Sequence, residues 1–330
     1  MNISLKKILP GTLLALSIAG IAYALGRILP VIGGPVIGIA LGIILTTLFK
    51  IPASTQSGLK FTSKTILQLA VILLGFEMNL ANIVHTGRQS ILIIFLTIGI
   101  ALLTAFLVGR ANHIPRKLTV LVGVGTAICG GSAIAAAASA IEADDQEISH
   151  SISTIFLFNV IAVFLFPLIG RLLHLSDLGF GLWAGTAIND TSSVVAAGYS
   201  FSNIAGNFAT IVKLTRSLMI IPVTLILAFV YARRNKSENH FNPIKVFPWF
   251  IIGFLLAALL SSTGVVSGTF AGVLVWSGKF LIIAALSAIG FNTDLKKFIQ
   301  SGPKILLTGG ITWLVLMISA LIIQYASRMI

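Results

Sequence analysis

Acidic residues are scarce in this chain of 330 residues, which contains 9 Asp or Glu against 22 Lys or Arg. All charged residues together make up 9% of the sequence, whereas a soluble domain carries roughly 25%. So few charges cannot cover a chain that is 57% hydrophobic in water. Most of the surface must therefore face lipid, which excludes a disordered chain and argues strongly against a soluble enzyme.

The chain also lacks the residue clusters that chemistry in a protein usually needs. The single cysteine, Cys129, excludes an intrachain disulfide, and the five histidines show no metal-ligand spacing. We find no nucleotide-binding loop, nucleophile elbow or zinc motif, so we expect no enzyme activity, no cofactor and no metal. The net charge of +13 is not arranged as a basic stripe with interleaved aromatic residues, so we expect no nucleic-acid partner.

Long apolar runs are what the chain does have. A membrane-spanning helix needs about 20 mostly apolar residues, and eleven segments qualify. They are residues 8–25, 31–49, 63–80, 90–109, 118–140, 151–172, 178–199, 207–231, 244–261, 279–295 and 304–327. The first resembles a signal peptide, but apolar segments follow at once and favour a retained span. The stretch Ser262 to Ser277 is either an interfacial helix or an early start to the tenth span.

Positive charge orients these spans. If the N-terminus is cytoplasmic, 16 of the 22 Lys and Arg residues fall on that side of the membrane and two lie within the eighth span. Four fall on the outer side: Arg27, Arg88, Lys279 and Arg328. The positive-inside rule then predicts an all-α polytopic membrane protein with the N-terminus inside and the C-terminus outside. No linker is visible, so we expect residues 1–330 to form a single transmembrane domain.

Two internal similarities suggest repeats. At an offset of 215, Gly75-Phe76 recurs as Gly290-Phe291 in a span of opposite predicted orientation, as in the inverted repeats of transporters. At an offset of 60, the run 125–132 resembles the run 185–192, in spans of the same predicted orientation. The two offsets do not fit one simple scheme. Either one segment is a re-entrant hairpin, or one similarity reflects shared local chemistry.

The fifth span contains Cys129-Gly130-Gly131-Ser132. Paired glycines weaken a helix, which predicts a break near the membrane midplane where freed backbone groups meet protein or water. Ser132 would then cap a second half-helix, Ala133 to Ala140. Close helix packing through small residues is the alternative.

The seventh span contains five consecutive polar residues, Asn189-Asp190-Thr191-Ser192-Ser193. An aspartate at mid-depth is costly, so we expect a function or an interhelical hydrogen-bond network here, with Thr191 or Ser192 capping a half-helix. The N-termini of two half-helices at the midplane would form an anion site.

The eighth span carries Lys213 and Arg216 on one face, followed by Pro222. Two buried cations need negative charge nearby, so we expect Asp190 to neutralise one of them and a bound anion to neutralise the other. A purely structural ion pair is the alternative. Asp190 is also a candidate for carrying a coupling ion, as are four further polar residues at the ends of the repeated spans: Glu77, Asn79, Asn292 and Asp294. Glu77 is either such a site or an interfacial residue.

The run 129–136, the run 189–198 and Lys213-Leu214-Thr215-Arg216 with Pro222 together resemble the YeiH-type family of bacterial inner-membrane proteins, usually labelled sulfate exporters. The resemblance covers nearly the whole chain. That family is distantly similar to the cation–proton antiporter and bile-acid symporter superfamily, which implies panel and core bundles and two broken helices that cross. In that superfamily the broken helices are antiparallel, whereas the topology predicted here makes them parallel.

The sequence and the resemblance together predict a secondary transporter of a small, sulfate-like anion that works by alternating access, with a proton or sodium as coupling ion. The expected anion site comprises Cys129, Gly130, Gly131, Ser132, Asn189, Asp190, Thr191, Ser192, Ser193, Lys213 and Arg216. A sodium–proton antiporter is the first alternative, and an anion channel, a membrane enzyme and a non-transporting scaffold are the others. A homo-oligomer is left open.

Overall fold

Helices form all the regular structure in the computed structural model, which describes residues 5–29, 33–235, 247–293 and 302–327. Within those ranges there is no β-strand. The helices are α1 (Leu5–Ile28), α2 (Gly34–Leu48), α3 (Gln56–Phe61), α4 (Leu67–Leu74), α5 (Leu80–Ala111), α6 (Arg116–Ala127), α7 (Gly131–Ile141), α8 (Asp145–Leu172), α9 (Asp177–Ala187), α10 (Thr191–Phe201), α11 (Asn203–Ser217), α12 (Ile220–Asn235), α13 (Phe250–Ser262), α14 (Gly268–Phe291) and α15 (Pro303–Ala326).

Seven helical stretches among the described residues are long and apolar enough to cross a membrane. They are Lys6–Ile28, Ala53–Glu77, Leu80–Ala111, Asp145–Leu172, Asn203–Tyr231, Gly268–Phe291 and Pro303–Ala326. The other four predicted spans are either short, as α2 and α13 are, or interrupted, as α6–α7 and α9–α10 are. An all-helical membrane fold is confirmed, with seven candidate spans rather than the eleven expected from hydropathy alone.

The predicted boundary around Ser262 to Ser277 now has an answer. Helix α13 ends at Ser262 and α14 begins at Gly268, capped by the Ser267 hydroxyl, which accepts a hydrogen bond from the Phe270 amide. The glycine-rich stretch is therefore mostly an early start to the tenth predicted span. As a result Lys279 lies in the middle of α14, and its assignment to an outer connecting segment was wrong.

The chain divides into two compact units. The first consists of Met1–His85, Val195–Asn207 and Trp249–Leu295, and the second of Thr86–Val194, Phe208–Pro248 and Lys296–Ile330. The first unit packs α14 against α1, α2 and α4. The second packs α6, α7, α8, α9 and α15, with the rings of Phe166 and Trp183 stacked at 4.2 Å in its core.

The contacts within the first unit repeat themselves at the offset of 215. A Cβ on Gly290 would lie 2.4 Å from the Ile39 carbonyl oxygen, and a Cβ on Gly75 would lie 2.5 Å from that of Phe254. Gly75 and Gly290 are 215 residues apart, and so are Ile39 and Phe254. The two glycines therefore let two pairs of helices approach closely at corresponding positions.

Hydrogen bonds in the same unit follow the same rule. The Thr46 hydroxyl donates to the Phe291 carbonyl at 3.1 Å, and the Ser261 hydroxyl donates to the Phe76 carbonyl at 2.8 Å. Here too the donors are 215 residues apart and so are the acceptors. Repeat-related residues in the first unit thus make reciprocal contacts.

Candidate functional site

The first interruption lies where the paired glycines predict it, between α6 and α7. Helix α6 ends at Ala127, and Gly130 adopts φ 66° and ψ −127° before α7 begins at Gly131. Only glycine adopts such a backbone conformation readily, so Gly130 allows the break without steric strain. The predicted break is confirmed, but the predicted cap is wrong. Gly130 takes the capping position without a side chain, and Ser132 lies exposed in the first turn of α7.

The second interruption, between α9 and α10, is also confirmed and has a different cause. Helix α9 ends at Ala187, Ile188 is extended, and α10 begins at Thr191. The Asp190 carboxylate accepts hydrogen bonds from the Ser192 amide, at 2.9 Å, and from the Ser192 hydroxyl, while the Asp190 carbonyl accepts from the Val194 amide. Asp190 is therefore the N-cap of α10, and the expectation that Thr191 or Ser192 caps this helix was wrong.

Lys213 of α11 joins the two interruptions. Its Nζ atom donates to the Ile128 carbonyl at 2.6 Å and to the Ile188 carbonyl at 3.1 Å. Those two isoleucines are related by the offset of 60, so the lysine binds the same atom in both copies of the Gly-Thr-Ala-Ile run. Close packing makes this geometry available, because a Cβ on Gly185 would lie 2.9 Å from the Ala209 carbonyl of α11.

Arg216 lies one turn further along α11 and holds the first interruption. Its Nε donates to the Ala127 carbonyl at 2.8 Å and one terminal nitrogen donates to the Thr126 carbonyl at 3.1 Å. The other terminal nitrogen is 3.5 Å from the Ile188 carbonyl. Both cations are fully buried. They lie at the carbonyl ends of α6 and α9, where the helix dipole favours positive charge.

Asp190 does not neutralise either cation directly. In the described ranges the carboxylate forms no ion pair within 4.0 Å with Lys213 or Arg216, and the ion pair found there joins Lys279 and Glu77. The expected ion pair was wrong, because both cations donate hydrogen bonds to backbone carbonyls, and the Asp190 carboxylate accepts hydrogen bonds from Ser192. Within the described ranges the two buried cations therefore make their direct polar contacts with backbone carbonyls, and Asp190 acts on Lys213 only at longer range.

Asn159 of α8 is a member of the site that the sequence analysis missed. Its side-chain oxygen accepts a hydrogen bond from the Asp190 amide at 3.1 Å, and its Nδ2 lies 3.6 Å from the position of a Cβ on Gly130. It thereby touches both interruptions. The signal was present, since Asn159 is the one polar residue in the apolar run 155–167.

Asn189 is the other unusual polar group. Its side chain is fully buried, and neither amide atom has a hydrogen-bond partner within the described chain. An unsatisfied buried amide costs about 1–3 kcal/mol, which makes Asn189 a candidate for contact with a ligand. Asn189 offers both a donor and an acceptor beside the cap of α10.

The remaining predicted site residues follow from this arrangement. Cys129 is buried within the first interruption, Gly131 opens α7, Thr191 opens α10, and Ser193 is buried in the first turn of α10. The N-cap of α7, Gly130, has no side chain, and the Ala133 amide contacts the Cys129 thiol, whereas the Ser192 amide of α10 donates to the Asp190 carboxylate. The two helix N-termini therefore differ: one is open to an acceptor and the other already has one.

Of the predicted coupling residues, Asp190 caps α10 in the second unit, whereas the others belong to the first unit and do not form one cluster. Glu77 pairs with Lys279 at 2.9 Å. Asn79 accepts from the Ala81 amide through its side chain and so caps α5. Asn292 donates to the Ser63 hydroxyl at 3.3 Å, and Asp294 lies outside the described residues. Two of these residues thus have structural roles, and Glu77 keeps an ion pair.

These features define a class: a helical membrane protein whose two interrupted helices are held by buried cations. A model of the family described as conserved hypothetical protein 698 matches residues 10–309. A UPF0324 membrane protein of Fusobacterium nucleatum is 45% identical over 323 residues, which covers 92% of this chain and 93% of the relative. Relatives of the same name are 43% identical in Streptococcus agalactiae and 39% identical in Clostridium tetani, each covering 97% of both chains. The chain belongs to the UPF0324 membrane protein family, and the resemblance to YeiH-type proteins is confirmed.

Proposed function

We propose that this protein is a secondary transporter that moves a small, sulfate-like anion across a bacterial cytoplasmic membrane. One observation carries the proposal: two cations, Lys213 and Arg216, are fully buried, and no carboxylate of the described chain lies within ion-pair distance of either. Buried ionised groups inside a membrane protein are costly and mark ion pathways. The positive potential of the two cations, which Asp190 offsets only at longer range, favours an anion.

The structure changes the roles that the two cations would have. Lys213 and Arg216 hold the carbonyl ends of α6 and α9, so they attract the anion through charge rather than by enclosing it. Direct contacts would come from the uncapped first-turn amides of α7 and from the exposed Ser132 hydroxyl. The buried Asn189 amide would find its missing partner when the anion binds. Asp190 would carry the coupling proton.

The architecture supports an inverted-repeat transporter. If the interrupted pairs α6–α7 and α9–α10 each cross the membrane, and α2 and α13 do too, the chain has eleven spans. The reciprocal contacts of the first unit support a two-fold relation between residues 38–77 and 253–292. Alternating access would then follow from the movement of one bundle against the other.

Counterflow of labelled sulfate in proteoliposomes tests this proposal. Wild type should accumulate sulfate, and Lys213→Met should lose accumulation. Lys117→Met is the matched control, because the Lys117 Nζ also donates to a carbonyl, that of Glu142, but at an exposed site. Folded wild type that accumulates neither sulfate nor phosphate, thiosulfate or a small carboxylate would refute an anion carrier.

A sodium–proton antiporter is the second candidate, and the position of Asp190 favours it. The carboxylate is partly exposed and free of either cation, so it could exchange a proton for sodium. This candidate predicts sodium-dependent proton movement that needs no anion and that Asp190→Asn abolishes. An anion channel would instead give conductance far above the turnover rate of a carrier.

A further inference from the structure

A second cationic site lies in the first unit, in a cavity of about 350 Å³. Arg27 and Lys279 both line it, together with Tyr23, Tyr199 and Asn203, while Pro35, Ile282 and Ile283 supply apolar wall. None of these residues belongs to the proposed transport site in the second unit. Ligand cavities of this kind are mostly apolar, with a few polar groups that orient the ligand.

Lys279 is held in place by three neighbours. Its Nζ donates to the Glu77 carboxylate at 2.9 Å and to the Asn203 side chain at 3.2 Å, and it lies 5.4 Å from the centre of the Tyr199 ring. The lysine has three N–H donors and uses two in these bonds. It therefore presents one further donor in a fixed position.

Arg27 supplies the charge that remains uncompensated. It lies in the last turn of α1, is exposed, and forms no ion pair within the described ranges. Since Glu77 offsets the charge of Lys279, the cavity and its ion pair carry a net charge of about +1. The planar guanidinium fork matches a carboxylate or phosphate group well.

We propose that this cavity binds an anion in which a singly charged carboxylate or phosphate is attached to an apolar body. The net charge of about +1 matches a single anionic group. An inorganic oxyanion would neither fill the cavity volume nor contact its apolar wall. The ligand is either a free organic acid or an anionic lipid. The nearby aromatic cluster of Tyr23, Trp276 and Phe280, with Trp276 half exposed, would suit the apolar part of either source.

Calorimetric titration of 2-naphthoate into the protein in phosphatidylcholine nanodiscs tests the proposal. Arg27→Gln should weaken binding about tenfold because it removes the fork. Glu77→Gln should strengthen binding severalfold because the charge of Lys279 is no longer offset. Opposite changes from two single variants cannot both come from misfolding. Arg88→Gln is the matched control, since Arg88 is exposed and does not line the cavity.

Further titrations distinguish a lipid from a free acid as the ligand, and some of their outcomes would overturn the proposal. Weaker 2-naphthoate binding in phosphatidylglycerol nanodiscs, for wild type but not for Arg27→Gln, would identify a lipid as the occupant. Equal affinity in both lipids would identify a free acid. The proposal is overturned if wild type fails to bind 2-naphthoate, if neutral 2-naphthamide binds equally well, or if Arg27→Gln and wild type bind alike.

Discussion

The two helix interruptions begin alike and end differently. Each is preceded by the run Gly-Thr-Ala-Ile, and each presents its isoleucine carbonyl to Lys213. After that point the first interruption turns on the backbone freedom of Gly130, whereas the second turns on the side chain of Asp190, its counterpart at the offset of 60.

The shared contact with Lys213 bears on the similarity at the offset of 60. The identical part of the two runs, Gly-Thr-Ala-Ile, lies at the carbonyl ends of two helices that share one cation, which favours shared local chemistry as the source of the similarity. The amide ends diverge: Asp190 caps α10, whereas the N-cap of α7, Gly130, has no side chain. Under the transport proposal, the N-terminus of α7 is where the incoming anion would bind.

The largest expected effect on stability comes from removing Lys213, the residue that both interruptions share. Lys213→Met should lower the free energy of unfolding by about 3 kcal/mol, because it leaves two buried carbonyls without their charged donor. Chemical unfolding in detergent micelles would measure the loss. Lys117→Met should change stability by less than about 0.5 kcal/mol, since Lys117 is only partly buried and its hydrogen bond to the Glu142 carbonyl is exposed. Equal losses in the two variants would contradict the bridging role of Lys213.

The first interruption should be sensitive to a methyl group at Gly130 but not at Gly131, in the helix that follows. Gly130→Ala should cost about 2 kcal/mol, because alanine is strained at a φ of 66°. The cost is conformational, since the nearest atoms to a Cβ there are 3.6 Å away. Gly131→Ala is the matched control: Gly131 lies in the helix, and no atom lies within 4 Å of its Cβ position. If Gly131→Ala proved the more costly, the conformational argument would fail.

Sequence reasoning located both interruptions because their causes are local. Paired glycines and a run of five polar residues disturb a helix wherever they occur. Seven of the eleven predicted spans are continuous long helices, and the sequence did not single them out, since hydropathy cannot distinguish one long helix from two short ones. Lys279 was misplaced because the predicted tenth span begins at residue 279, whereas α14 begins at Gly268.

The partners of the charged residues could not be predicted. Lys213 and Arg216 bind backbone carbonyls, which every residue carries, so no sequence pattern marks them. Opposite charges suggested a pair with Asp190, but the helix termini compete for both groups more effectively. Asn159 is 31 residues from Asp190 in sequence, and only the fold brings its side chain to the Asp190 amide.

Asp190 should matter less for stability than Gly130. Asp190→Ala removes the cap of α10 and should cost about 1 kcal/mol, whereas Asp190→Asn retains an acceptor and should cost less. Both can be compared with wild type by thermal unfolding. Under the transport proposal both variants should lose proton-coupled uptake, so Asp190→Asn separates the cap from the charge. Full coupling in Asp190→Asn would remove Asp190 from the coupling step.

The smallest effect on stability is expected at Ser132, where the two interruptions differ most. If Ser132 were the cap of α7, Ser132→Ala would cost about 1 kcal/mol. Because Gly130 holds the capping position and Ser132 is exposed, we expect a change within about 0.5 kcal/mol. Sulfate-dependent thermal stabilisation should nevertheless decrease, since the hydroxyl lies at the open helix end. Ser139→Ala is the matched control, as Ser139 is exposed on the same helix away from the break. If the Ser132 and Ser139 variants respond to sulfate as wild type does, the anion does not bind at the N-terminus of α7.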